Sequence, residues 1–365
     1  MDIGVLMLFQ NHSNQPLDDY QVYKRELEIA ELAEPLGFNS VWAVEHHFTD
    51  YTLCPNPLEM LSYLAGKTRT IKLGTGAIII PWHKDPLRIA TDVAMLDNLS
   101  DRRVLLGIGR GIGRVEYDGF GVNMNDSREL FEESSAMILD MLETGQAKAH
   151  TGKHFSQVDR PIRPAPLGPY LDRTYVTCQS PETAQFIADW GLGMMVFAIS
   201  PWKSRAKDCH MYRAAFREKH HREAPPVIAN VFVMVDEDGD RARELAQKYM
   251  ADYWLSALAH YEMDGTHFKG VKGYEFYEKS AGMMRDRSPE SMESLYVNNQ
   301  VFGTPRDCIE QMNEIQRLAG PVTFNVSFSY AGLPYDVVKR QMQLFAQQCL
   351  PQLQATTVGK LVAVA

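Results

Sequence analysis

Eight times along this chain a short β-rich run hands over to a longer amphipathic pattern, and that alternation restricts the fold more than any other feature. The runs cover residues 3–9, 40–44, 71–80, 103–108, 175–178, 194–197, 227–235 and 323–328, each rich in Val, Ile, Leu, Met or Phe. Helical periodicity follows at 18–36, where Gly37 stops it, and again at 57–67, 86–98, 127–142 and 335–353. Strand followed by helix, repeated, builds a parallel sheet. Eight such units in 365 residues fit a closed (β/α)8 TIM barrel better than an open sheet, with insertions expected at the C-terminal face. The reading is one barrel domain over residues 1–354 and a tail at 355–365. Two stretches, 144–173 and 260–299, are too long for ordinary connections. The first reads equally well as decoration or as a binding loop; the second, rich in Gly, Lys and aromatic residues, reads as a lid.

Composition narrows the partners. A net charge of −9 argues against a nucleic-acid surface, which needs clustered Lys and Arg. Apolar runs such as 76–81 fall far short of the roughly 20 residues that cross a bilayer, so no membrane is expected. Residues 1–9 show no basic leader, and five scattered cysteines form no framework, which together point to a reducing cytoplasm. A small ligand is the natural partner.

Three motifs fall where a barrel places its chemistry, just after strands. Glu45-His46-His47 ends the second strand, within residues 41–48 (VWAVEHHF). Two such histidines commonly do no more than satisfy local hydrogen bonds. A zinc pair is a weaker reading, because neighbours on a strand end point in opposite directions, so no metal is expected. Residues 107–113 (GIGRGIG) follow the fourth strand but hold Ile112 and Arg114 where a dinucleotide fingerprint needs glycine. What remains is close backbone approach to a ligand, with Arg110 able to fork onto an anionic oxygen, or else a tight turn and a surface ion pair. After the fifth strand, Ser180 suits an N-cap and Pro181 the first helical position, with Thr183 one turn in, so the amides there could face a phosphate. Thr304-Pro305-Arg306-Asp307 has the same cap grammar and reads as structural.

Taken in order, residues 41–48 (VWAVEHHF), 73–81 (LGTGAIIIP), 107–111 (GIGRG), 123–130 (NMNDSREL), 273–276 (GYEF) and 303–307 (GTPRD) resemble the bacterial luciferase-like family of flavin-dependent monooxygenases, and most of all its light-emitting α-chain branch. The resemblance spans the first strand to near Leu353. It implies a barrel that binds reduced FMN at the strand C-termini and, through a flavin C4a-hydroperoxide formed with O2, oxidises a small apolar carbonyl-type substrate. It also implies a separate flavin reductase and a homodimer. Arg110 and Arg128 match the family's phosphate-side arginines, Ser180 and Thr183 its hydroxyl donors, and Gly76-Ala77 a peptide, often cis, under the flavin ring. His46 matches the acid–base histidine. Gln179 stands at a cofactor-binding position where the branch has glutamate, and Gly109 where it has a reactive cysteine; the missing thiol leaves the oxygen chemistry, which belongs to the flavin. Relatives that transfer hydride with the deazaflavin F420, and non-catalytic flavin-binding subunits, are the alternatives within the family. A metal-dependent barrel hydrolase is the class furthest away.

Overall fold

The computed structural model describes residues 1–359. Its eight barrel strands are β1 (Ile3–Met7), β2 (Ser40–Ala43), β3 (Lys72–Thr75), β4 (Val104–Gly109), β5 (Thr174–Thr177), β6 (Gly193–Phe197), β7 (Val227–Val235) and β8 (Val322–Ser327). Each pairs in parallel with the next, and β8 returns to β1 in the register Ile3↔Phe324, so the sheet closes. Around it run α1 (Asp19–Leu32), α2 (Pro57–Lys67), α3 (Pro86–Leu99), α4 (Arg114–Phe120), α5 (Ser127–Thr144), α6 (Pro181–Trp190), α7 (Trp202–His220), α8 (Gly239–Tyr261), α9 (Glu275–Arg285), α10 (Pro289–Val297), α11 (Pro305–Ala319), α12 (Tyr335–Gln348) and α13 (Leu350–Ala355). The expected (β/α)8 barrel is therefore the fold. Strands β1, β2 and β7 are buried along their whole length, as covering on both faces requires.

Two expected elements break, each for a local reason. The run 71–80 stops as a strand at Thr75, whose hydroxyl donates to Gly107 O at 2.7 Å and accepts from Gly107 N at 2.8 Å, taking over the ladder's role. A cis Gly76–Ala77 bond follows, then Ile78–Ile79 pairs with the end of β4. The helix expected at 335–353 divides at Cys349, because Pro351 has no amide to continue the ladder.

The stretch after β7 carries the site's roof. α8 does not run back down the barrel wall; its second half, from Tyr253 to Tyr261, lines the mouth. α9 and α10 occupy much of what reads in sequence as the loop 260–299, and Val301–Gly303 then pairs with the end of β7. α11 packs against α7 and fills the helix ring in its place. Phe268 and Tyr274 from the roof join Ile79, Trp82, Tyr117 and Met124 in a small apolar cluster separate from the main core.

The other long stretch, 144–173, forms two short hairpins and joins the end of α5 to the start of β5. Its last residues brace the N-terminal rim, where Arg173 and Tyr170 both bond the buried carboxylate of Asp97, while its second hairpin climbs along α5 to Glu133 and Glu129 near the C-terminal face. Of the expected tail, residues 356–359 are described and 360–365 lie outside the described residues.

At that same rim Glu34 receives the backbone N–H groups of Thr70 at 2.6 Å, Ile71 at 2.9 Å and Arg69 at 3.0 Å. Partial burial pulls this carboxyl up, but those donors overcome it and hold it at about 2 against an ordinary 4.5. A depressed carboxyl contributes stability that is present above 4.5 and lost as pH falls through about 2. Acid titration of urea stability should show that loss in the native chain, and Glu34→Gln should flatten it over this window while lowering stability at neutral pH.

Candidate functional site

The C-terminal ends of the strands open into a cavity of about 1410 Å³, its mouth included. His46 after β2, Gly76 and Ala77 after β3, Arg110 after β4, and Gln179 after β5 all line it, joined by Arg128 and Thr183 from the first turns of α5 and α6. Seven of the eight residues singled out in sequence thus face one space.

One end of that space gathers cationic and donor groups. Arg110 donates from Nη2 to Gly273 O at 2.7 Å and lies 4.2 Å over the Tyr274 ring, while its Nη1 is buried with no partner among the described residues. Gly273, at φ +80°, passes so near that an added Cβ would stand 2.8 Å from Arg110 Nη1 and 3.0 Å from Arg128 Nε. The two guanidiniums therefore converge on one point. Among the described residues Arg128 has one loose ion-pair partner, Glu132 at 3.9 Å. Ser180 caps α6 by accepting from Thr183 N at 3.4 Å and shares a 3.1 Å hydroxyl contact with Thr183 Oγ1. It sits behind Thr183 and is the one expected site residue outside the cavity wall. Gln179 accepts from Arg205 through Oε1, and its Nε2 is buried without a partner among the described residues.

The other end is built for a proton. His46 Nδ1 meets Glu116 Oε1 at 3.0 Å, and His46 Nε2 meets the Tyr261 hydroxyl at 2.9 Å. Glu116 is 1 % exposed; burial would raise its carboxyl, but the neighbouring imidazoles of His46 and His260 overcome this and hold it at about 2. An ionised carboxylate on Nδ1 fixes the neutral ring with its hydrogen there and leaves Nε2 as the basic nitrogen. Burial, then the Glu116 charge, keep Tyr261 well above the usual phenol range, so it stays a neutral hydroxyl. His260, also buried, has Nε2 3.6 Å from the same Glu116 oxygen; burial pushes its imidazole down.

His47 turns the other way. It bonds Glu45 Oε1 at 3.1 Å, an oxygen that also accepts from Trp82 Nε1 at 2.7 Å and His83 Nε2 at 2.9 Å, while Ile79 N donates to Oε2 at 2.9 Å. Burial would raise Glu45, but these donors lower it, and the anion pins the segment that follows the cis peptide. Glu45 thus organises the wall, while His46 carries the imidazole onto it.

Sequence reading missed Glu116, Tyr261 and His260. Glu116 sits on the short α4, and the other two end a helix more than two hundred residues from His46, so no spacing connects them. Gly109 also acquires a reason. A Cβ there would stand 2.7 Å from Thr177 Oγ1 and 3.0 Å from Ile79 Cδ1, so Thr177 occupies the space a cysteine side chain would need.

Comparison with known proteins agrees with this geometry. The family model described as luciferase-like monooxygenase matches residues 1–320. The alkanal monooxygenase alpha chain of Photorhabdus luminescens is 27% identical over 346 residues, 91% of this chain and 92% of that one. Monooxygenase RslO1 from Streptomyces bottropensis superposes with a TM-score of 0.80 at 25% identity, covering 97% of this chain and 100% of that one. The oxygenating constituent of 3,6-diketocamphane monooxygenase from Pseudomonas putida, a type II Baeyer–Villiger monooxygenase solved with FMN, shares the fold at a TM-score of 0.77 and 17% identity, covering 99% of each chain. With a closed barrel, two converging guanidiniums and a carboxylate-held imidazole in one cavity, the chain belongs to the luciferase-like monooxygenases and is a flavin-dependent oxidoreductase.

Proposed function

We propose that the protein is the oxygenase component of a two-component system, which takes reduced FMN from a separate reductase and, with O2, oxidises a small apolar carbonyl-type substrate. One oxygen atom goes to substrate and the other to water, with both electrons coming from the reduced flavin. The observation that carries this reading is the pairing of Arg110 and Arg128 at one end of the cavity with His46 at the other. Buried, unpartnered N–H groups on Arg110 and Gln179 fit a multiply charged phosphate, which would bring acceptors to both.

When bound, the flavin supplies the oxygen activation. The chain's residues do the rest. Arg110, Arg128, Thr183 and the amides opening α6 hold the phosphate, with Ser180 setting that helix start and Gln179 beside it. Gly76 and Ala77 form the bed of the ring. His46 moves the proton, its Nε2 kept basic by Glu116 on the opposite nitrogen. The roof from α8 to α10 excludes water from the reacting centre. The reading takes the protein as a cytoplasmic homodimer; in support of the first part, no helix among the described residues is long and apolar enough to cross a membrane.

The experiment is an anaerobic binding titration with reduced FMN, reduced riboflavin and F420. Arg110→Ala and Arg128→Ala should each weaken FMN by about tenfold or more, since bonds to a charged partner contribute about 1.5–3 kcal/mol, and should leave riboflavin nearly unchanged. Equal losses for both flavins would remove the phosphate assignment, and tighter binding of F420 than of FMN would replace the cofactor.

A further inference from the structure

His46 and His47 are adjacent, yet the strand sends His46 to Glu116 and His47 to Glu45, so they cannot share an ion. The fold adds a second imidazole from elsewhere. His260, in the last turn of α8, has Nε2 3.6 Å from Glu116 Oε1, the oxygen that also meets His46 Nδ1 at 3.0 Å. The three ligand-type atoms lie within 4.8 Å of one another.

Two further observations single this cluster out. Glu116 and His260 are both 1 % exposed at the side chain, and Glu116 Oε2 and His260 Nε2 have no hydrogen-bond partner among the described residues. The far nitrogen of each imidazole, by contrast, is tied to a hydroxyl: His260 Nδ1 to Thr49 Oγ1 at 2.7 Å, and His46 Nε2 to Tyr261 at 2.9 Å. Far nitrogens anchored by outer partners, near nitrogens turned to a common carboxylate, is how metal-binding histidines are held. The backbone N–H of His47 anchors the carboxylate in the same way, at 3.0 Å.

From this we infer that His46, Glu116 and His260 form a binding site for one late first-row divalent cation. Two imidazoles and one carboxylate suit zinc or cobalt and disfavour magnesium or calcium, which want oxygen ligands. The two separations from Glu116, 3.0 and 3.6 Å, bracket the roughly 3.3 Å between ligands set about 2.0–2.1 Å from a tetrahedral ion, and the two imidazole nitrogens, within 4.8 Å of each other, draw together as the ion binds. Glu116 and His46 both line the cavity, so a fourth position faces it and is open to water. Binding displaces the hydrogen on His46 Nδ1, and His46 Nε2–H then donates to the Tyr261 oxygen. The cation therefore takes the nitrogen that orients His46, and the loaded enzyme is inhibited.

Titration of the flavin-free protein with Co2+, followed by visible d–d absorption, and with Zn2+, followed by calorimetry, tests the site directly. One equivalent of each ion should bind. Uptake should vanish in His260→Gln and Glu116→Gln and persist in His47→Gln, whose side chain faces away. Thr49→Val and Tyr261→Phe, which keep all three ligands, should weaken binding by about 10–100-fold, and they decide the matter if a ligand variant fails to fold. No saturable uptake, or uptake unchanged in a folded His260→Gln or in both outer-partner variants, as surface histidines such as His150 would give, overturns the inference. The readout is independent of flavin: a chain that binds cobalt at these residues but not FMN would keep this site and lose the oxygenase reading.

Discussion

Replacing His46 with alanine should lower product formation by about 10²–10⁴-fold, the range of a positioned general acid or base, while FMN affinity stays within a few-fold of the native value. The separation follows from the layout: His46 bonds Glu116 and Tyr261, whereas the anion end is built from Arg110, Arg128 and the start of α6. Glu116→Gln sharpens the test. The amide cannot hold a hydrogen on Nδ1 as an ionised carboxylate does, so the ring is free to adopt the other tautomer, and turnover should fall with little change in flavin binding. Rescue separates orientation from simple damage. Glu116→Asp, which keeps an anion facing His46 Nδ1, should recover part of the turnover that Glu116→Gln loses. Equal losses in both variants would assign Glu116 a packing role only.

The second large effect concerns stability at the opposite rim. Asp97→Ala should cost about 3–5 kcal/mol, read as a drop in the urea midpoint, because it leaves a buried cation unpaired. Asp97 is fully buried and accepts from Arg173 Nη1 at 2.7 Å and Nη2 at 2.6 Å, from Tyr170 at 2.7 Å and from Val104 N at 3.2 Å. That one carboxylate ties α3, the start of β4 and the stretch 144–173 together. Removing both charges with Asp97→Leu and Arg173→Met should recover part of the loss, as the cost lies in the orphaned guanidinium. FMN affinity of the folded fraction should be unchanged, since the rim lies at the far end of the strands from the cavity.

How much of this was legible in the chain depends on the range of the interaction involved. The eight strands were readable because burial on both faces writes itself as a local apolar run, and the α6 start because Ser180 and Pro181 are a local cap signal. Arg110 and His46 stood out in motifs after strands and Arg128 by resemblance alone, and the fold brings all three to one cavity. Ser180 stands at the helix cap, where its oxygen accepts from Thr183 N. Glu116, Tyr261 and His260 could not be found, because α4 is short and the roof folds back onto β2 only in three dimensions. The roof reads in sequence as mostly loop because its helices are short and bury few side chains, Ala281 from α9 and Tyr296 and Val297 from α10. The stretch 144–173, expected at the C-terminal face, reaches it only through its second hairpin and otherwise braces the opposite rim, since length alone does not say where a connection runs.

Crystals of the protein grown with FMN test the central claim most directly. The phosphate should lie between the guanidiniums of Arg110 and Arg128 at the start of α6, within hydrogen-bond reach of Arg110 Nη1 and Thr183, with the ring over Gly76–Ala77 and His46 at its edge. A phosphate found elsewhere, or a ring that leaves His46 out of reach, would contradict the account.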